Sequence, residues 1–271
     1  PAPPAYEYGA FLSWLRRTDE SRGFAGVPMA PQVSWFDVDA AVSSHPAWFE
    51  GEDMTAVATA VKDINRFEFM KGIMLSGDDA AQSSLAIHLY ILQKLLPAAR
   101  PGARFLDAGC GTGFLLQAWM LLAGEGSHAV GLDMDPAEVA EARQNVACPA
   151  SLSAKARRPS GARCSVFPGD ALRPDPAGLG LAPGSVDAIS LGVAVREAAD
   201  LAPLGALLRE GGLLAAPVCS SPCQDDQVLL TGSGCQKMPA RFTLFRRDCA
   251  GGLVEVPGQN PVKVHFIVAR Y

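Results

Sequence analysis

Eight residues near the middle of the chain, Leu106-Asp107-Ala108-Gly109-Cys110-Gly111-Thr112-Gly113, combine an acid with three glycines at alternate positions. Glycines let a backbone turn tightly and come close to a ligand, and a carboxylate just ahead of them attracts positive charge and repels phosphate. In a dinucleotide fingerprint, GxGxxG, the third glycine lets the helix pack closely on the strand. Here that position is Phe114, and the third glycine falls instead at Gly113. The loop therefore suits a ligand that carries positive charge. Twenty residues past Gly113 stands Asp133, followed by Met134, and Gly169-Asp170 comes later in the same style. An acid at the end of a second strand can accept both hydroxyls of an unphosphorylated ribose. An acid at the end of a third can face an adenine edge that offers an amino donor.

Only an open sheet brings such residues to one edge, and the apolar pattern predicts one. Leu85, Leu89, Leu92 and Leu96 have helical spacing, with Ser83 or Ser84 as cap and Pro97 just beyond. A strand over Arg104 to Ala108 follows, then the glycine loop, a helix from about Gly113 to Leu122, and a strand over Ala129 to Asp133. Asp135 and Pro136 take cap and first-turn places in a helix reaching about Val146. Further strands are expected at Cys164 to Phe167, Val186 to Leu191 and Leu213 to Val218. A helix from about Ala198 to Leu208 is ended by Gly211-Gly212, and Gln227 to Thr231, Phe242 to Arg246 and Val262 to Ala269 favour strands. This alternation predicts an α/β, doubly wound, Rossmann-like domain: a mostly parallel seven-stranded sheet with helices on both faces and a crevice at the carboxyl ends of its strands. Amino acid, ribose and adenine together describe S-adenosylmethionine. Its expected binding residues are Asp107, Gly109, Cys110, Gly111, Thr112, Gly113, Asp133, Met134, Gly169 and Asp170. No Cys/His spacing suits a zinc ion, and no metal is expected.

The glycine loop, Gly131-Leu132-Asp133 and Gly169-Asp170 together resemble class I S-adenosylmethionine-dependent methyltransferases. Three further stretches resemble the protein-L-isoaspartate O-methyltransferases: Val186-Asp187-Ala188-Ile189-Ser190-Leu191-Gly192-Val193-Ala194, Glu210 to Val218, and Gln224 to Leu229. That resemblance covers about residues 70 to 271. It implies methyl transfer to a carboxylate of damaged aspartyl residues in a protein or peptide acceptor, with S-adenosylhomocysteine as product. It also implies a catalytic role for Ser76, which would orient the acceptor, since the family places a serine ahead of the glycine loop. The family's Ala-Pro-His after that serine is absent here, and Asp78 and Asp79 stand close by. Two carboxylates facing an incoming third would repel it, so weak or absent isoaspartyl methylation is expected alongside cofactor binding. The alternative is a methyltransferase-fold accessory subunit of a larger assembly.

The remainder of the chain sets limits. It has 271 residues, 49% hydrophobic and 19% charged, with a formal net charge of -5, which argues for a folded protein and against nucleic acid as a partner. The most apolar run, Phe114 to Ala123, is too short for a bilayer and reads as a buried helix. Seven unpatterned cysteines read as free thiols in a reducing compartment, cytoplasm or an organelle interior. The opening Pro1-Ala2-Pro3-Pro4 has neither an initiator Met nor a signal-like stretch, which reads as a trimmed start. Residues 1–75 form an aromatic, helix-containing extension expected to pack on the 76–271 domain or on a protein partner. Residues 148–163, rich in Ala, Ser, Pro and Arg, read as an exposed insertion.

Overall fold

The computed structural model describes residues 37–66, 68–69, 84–219, 229–230, 236–258 and 262–267. Among the described residues, nine strands form one sheet: β1 (Arg104–Ala108), β2 (His128–Asp133), β3 (Arg163–Pro168), β4 (Val186–Leu191), β5 (Leu208–Cys219), β6 (Leu229–Leu230), β7 (Gln236–Arg247), β8 (Leu253–Glu255) and β9 (Val262–Ile267). Seven follow one path in the order β3-β2-β1-β4-β5-β7-β6, and β8 and β9 also pair with β7. The first five run parallel, and β7 lies antiparallel to β5. This is the Rossmann-like, doubly wound methyltransferase architecture. The strand order reverses between β1 and β4, the place where an open parallel sheet leaves a crevice at its carboxyl edge.

Each face has its own core. Phe105, Ala129, Val166, Ala188 and Ala215 point to one side. There they meet α4 (Leu85–Leu95), α5 (Phe114–Ala123) and α6 (Pro136–Ala147). Leu106, Val130, Ile189 and Leu214 point to the other, against Leu172, Leu181 and the turn and helix α7 (Ala202–Leu207). The alternation along β1 assigns its residues to faces as a strand's period of two requires. Ser84 Oγ accepts from Ile87 N at 3.4 Å and Asp135 Oδ1 from Ala137 N at 2.8 Å, so α4 and α6 start at their capping residues. Among the described residues, no helix is long and apolar enough to cross a membrane.

Two expectations need correction. The glycines Gly211-Gly212 do not end a helix. Leu208 already has extended backbone and pairs with Val186. The glycines instead occupy an irregular stretch of β5, where the register on β4 jumps from Val186↔Leu208 to Ala188↔Leu213. The second concerns 148–163, which is exposed at many positions as expected but is also tied to residues 63–65. Asn65 N donates to Ser151 O at 2.8 Å, Ser153 N to Asp63 O at 2.8 Å, and Ser153 Oγ to Asp63 Oδ1 at 3.1 Å. Ile64 and Leu152 form an antiparallel bridge between these bonds. Arg158, from the tract read as solvated, donates to Val146 O and Gln117 Oε1, closing the carboxyl end of α6 onto α5.

What the segment holds is the layer made of α1 (Val38–Ser44), α2 (Pro46–Phe49) and α3 (Thr55–Lys62). Val38, Phe49, Val57, Val61 and Phe69 are buried in the same core as α4 and α5. Lys94, buried on α4, donates to Glu52 at 2.5 Å, and Gln93 donates to its other oxygen at 3.1 Å. The described part of the extension is thus integral to one face of the domain.

Candidate functional site

The site is assembled at the carboxyl ends of β1, β2, β3 and β4. Gly109 turns the chain out of β1 with φ +87°, a left-handed conformation that side chains resist. A Cβ there would also come within 3.3 Å of Gly192 Cα on the loop after β4. Ala108 O accepts from Gly192 N at 2.7 Å, so the two loops share backbone. Gly113, again at φ +87°, is the cap residue of α5, where a Cβ would press on Ala142 and Val146 of α6 at 3.2 Å. Asn145 of α6 donates to Thr112 O at 3.1 Å and fixes the loop from behind.

Asp133 connects the second strand to this loop. Its Oδ2 accepts from Gly111 N at 2.9 Å and its Oδ1 from Asp135 N at 3.0 Å. The carboxylate thus ties the loop to the start of α6, with lone pairs remaining on both oxygens. Met134 beside it is 65% exposed, an apolar side chain left on the surface at the crevice. Gly169 N donates to Asp133 O at 2.8 Å, which brings the end of β3 alongside. Asp170 follows there, with Oδ1 accepting from Leu172 N at 2.8 Å. Asp107, Gly109 to Gly113, Asp133, Met134, Gly169 and Asp170 are thus gathered along one edge. Ser76, like Asp78 and Asp79, lies outside the described residues.

Asp107 is the chemically distinctive member. It is 2% exposed, and its Oδ1 accepts no hydrogen bond from the described residues. Burial pushes its carboxyl well above the ordinary range, and the charge of Asp133 adds to that, while the nearby Ser190 hydroxyl acts in the opposite sense. Ser190 stands opposite Asp107 in the parallel register, but its Oγ makes no well-formed hydrogen bond, so burial outweighs it. Cys110 is also buried, its Sγ filling the space that a Cβ on Gly131 would need. Burial, with Asp107 and Asp133 adding, pushes that thiol far up, so it packs and does not act as a nucleophile. Glu138, in the first turn of α6, lies near Gly111. Burial and the neighbouring acids Glu141, Asp133 and Asp135 push its carboxyl up to about 7.

The N-terminal layer reaches the loop's exit through a cluster that the sequence did not reveal. Phe114, the first residue of α5, is stacked on His88 (centroids 4.9 Å apart, 25° between planes) and lies under the Arg66 guanidinium at 4.6 Å. Arg66 Nη1 donates to His88 Nδ1 at 2.9 Å. Burial pushes the guanidinium down to about 9 and the imidazole well below its usual range, the latter helped by the Arg66 charge. Nothing in local spacing could have paired these residues. Ser190 had a visible signal, a lone hydroxyl inside an apolar strand.

Comparison with known proteins agrees with this geometry. The family "Methyltransferase domain" matches residues 99–152, the span from just before β1 to just after α6. A Plasmodium falciparum chain designated protein-L-isoaspartate O-methyltransferase, in complex with S-adenosyl-L-homocysteine, superposes with a TM-score of 0.58 at 17% identity, covering 85% of this chain and 95% of that one. Another structure designated protein-L-isoaspartate O-methyltransferase gives 0.55 at 20% identity, covering 90% of this chain and 66% of that one. No curated protein matches the sequence.

Proposed function

We propose that this chain, which has the class I methyltransferase fold, is an S-adenosylmethionine-dependent O-methyltransferase whose acceptor is a carboxylate on a protein or peptide. The observation that carries the reading is Asp107: a buried carboxyl with an oxygen lacking any partner, at the switch point of the sheet, beside a glycine loop bonded to a second acid. An orphaned buried acid is costly to keep. A positively charged group of a ligand gives it a partner. The residues fit the cofactor on this ground. Asp107 and the loop from Gly109 to Gly113 would hold its amino-acid part, Asp133 its ribose and Asp170 its adenine, with Met134 offering apolar cover.

When bound, S-adenosylmethionine supplies an electrophilic methyl group on sulfonium. The chain's own tasks are to bind, to orient and to exclude water. A carboxylate acceptor is ionised at neutral pH and needs no general base, so side-chain chemistry is light and positioning dominates. Ser76 is our candidate for orienting the acceptor. Asp78 and Asp79, which replace the family's pattern after that serine, would repel a carboxylate acceptor if they faced it, so turnover on a standard isoaspartyl peptide is expected to be weak.

Calorimetry with S-adenosylhomocysteine, followed by methyl transfer to isoaspartyl peptides and to a panel of other carboxylate acceptors, tests this. Micromolar binding that Asp133→Ala weakens by about 1 kcal/mol or more is expected, the scale of a lost charge-assisted hydrogen bond. Turnover on some carboxylate acceptor is expected with it. Binding with no turnover on any acceptor would favour the accessory-subunit alternative, and absence of binding would overturn the reading.

A further inference from the structure

Asp107 and Ser190 face each other across β1 and β4, both buried, and neither Asp107 Oδ1 nor Ser190 Oγ has a hydrogen-bond partner among the described residues. Among the described residues, the groups that influence Asp107 from the surrounding elements are the Asp133 carboxylate on β2, the Cys110 thiol on the loop, the Cys164 thiol on β3 and the Ser190 hydroxyl on β4, and none of these is cationic. A lone carboxylate in such surroundings takes up a proton rather than remain charged. Asp133 has a backbone N–H on each oxygen, whereas Asp107 Oδ1 receives none from the described residues, so the proton resides on Asp107. Ser190 suits both states, since a hydroxyl accepts from a carboxylic acid and donates to a carboxylate.

We propose that Asp107 and Ser190 form a proton-exchanging pair, so that binding of an ammonium-bearing ligand releases one proton from the chain. This inference rests on the methyltransferase reading above. In the ligand-free chain Asp107 is a neutral carboxylic acid. When the ligand's ammonium group arrives, the Asp107 O–H bond breaks, the electron pair stays on the carboxylate, the proton passes to buffer, and the ammonium keeps its own protons. The new ion pair replaces the neutral acid, and the Ser190 hydroxyl, unbonded in the ligand-free chain, then donates to the carboxylate.

Two consequences separate this from simple charge attraction. Affinity for ammonium-bearing ligands rises about tenfold per pH unit while ligand-free Asp107 is protonated, then levels off. A ligand without the ammonium group gains nothing from the exchange.

The test uses calorimetry on the full chain at about pH 6, in two buffers of different ionisation heat, where an unperturbed aspartate would already be ionised. The ligands are S-adenosylhomocysteine and 5′-methylthioadenosine, which lacks the amino-acid part. We expect about one proton released per S-adenosylhomocysteine and none per 5′-methylthioadenosine. Asp107→Asn should bind S-adenosylhomocysteine at least about tenfold more weakly, with no proton release. Ser190→Ala should still release the proton, but its affinity should level off at higher pH than in the wild type, a displacement that a merely structural serine would not produce. On the unmodified chain, the infrared band of a protonated carboxyl should disappear when S-adenosylhomocysteine is added. Buffer-independent heat with clear S-adenosylhomocysteine binding, equal proton release by both ligands, or no such infrared band would overturn the exchange and leave the methyltransferase reading standing. Failure of both ligands to bind would overturn that reading, and the exchange with it.

Discussion

Asp187, at the start of β4, and Asp107, near the end of β1, lie on adjacent strands and are 4% and 2% exposed. Asp187 accepts from Arg209 Nε at 2.6 Å, Arg100 Nη2 at 2.8 Å and Arg104 N at 2.8 Å. Burial alone would raise its pKa, but these three partners outweigh that and hold its carboxyl below the usual value. Asp107 has an orphaned oxygen and shifts the other way. One edge of the sheet spends its buried acid on structure, and the opposite edge leaves its acid unsatisfied where the crevice opens. Burial does not distinguish a stabilising charge from a binding one; the partners do.

The largest effect expected from this contrast is at Asp187. Asp187→Ala strands two half-exposed arginines and a backbone N–H, and should lower stability by about 3 kcal/mol in urea unfolding. Its affinity for S-adenosylhomocysteine should stay within about twofold of wild type, and a large loss of affinity would break the division of labour. The pH dependence has a definite sign. With a folded value below the unfolded one, near 3.9, Asp187 contributes stability that is full above that value and is lost as pH falls through the folded one. Asp187→Asn should flatten the curve there.

Asp107→Asn should do the reverse. Its raised folded value means that the native state holds the proton more tightly than the unfolded chain, so its contribution is lost as pH rises above about 3.9. The amide removes that loss, so stability at neutral pH should be unchanged or higher. Affinity for S-adenosylhomocysteine should fall about 10- to 100-fold, the value of a hydrogen bond to a charged group.

A smaller effect is expected at Gly109→Ala, which forces a side chain into a left-handed conformation at 3.3 Å from Gly192. About 1–2 kcal/mol of stability should be lost, and binding weakened with it. The smallest is at Asp63→Ala, which removes the acceptor for Ser153 Oγ at 3.1 Å. About 1 kcal/mol is at stake. Faster proteolysis of the N-terminal layer with unchanged ligand affinity would show that the mooring serves structure alone.

Much of the sheet was legible because its signals are local. The bounds of β1 and β4 match the apolar runs, Asp135 caps α6 as its position predicts, and the glycine loop falls between strand and helix. What escaped depends on contacts between distant residues. The 148–163 segment is polar and Pro-rich, which reads as solvated until Asp63 and Asn65 are seen to bond to it. Gly211-Gly212 carries a helix-stop signal that lost to pairing of Leu208 with Val186. Asp187 lay within a recognised stretch, but the sequence could not say that Arg100 and Arg209 converge on it, and the orphaned state of Asp107 is visible only once its surroundings are known. The roles given to Asp133, Met134 and Asp170 rest on their place at the edge and remain proposals.

Amide hydrogen exchange, with and without S-adenosylhomocysteine, tests the central claim most directly, because it reports where on the chain the ligand acts. Slowed exchange is expected in peptides spanning 107–113, 133–138 and 169–173, with the Asp187 and Arg209 edge unchanged. Protection confined to that opposite edge, or no protection at a saturating concentration, would contradict it.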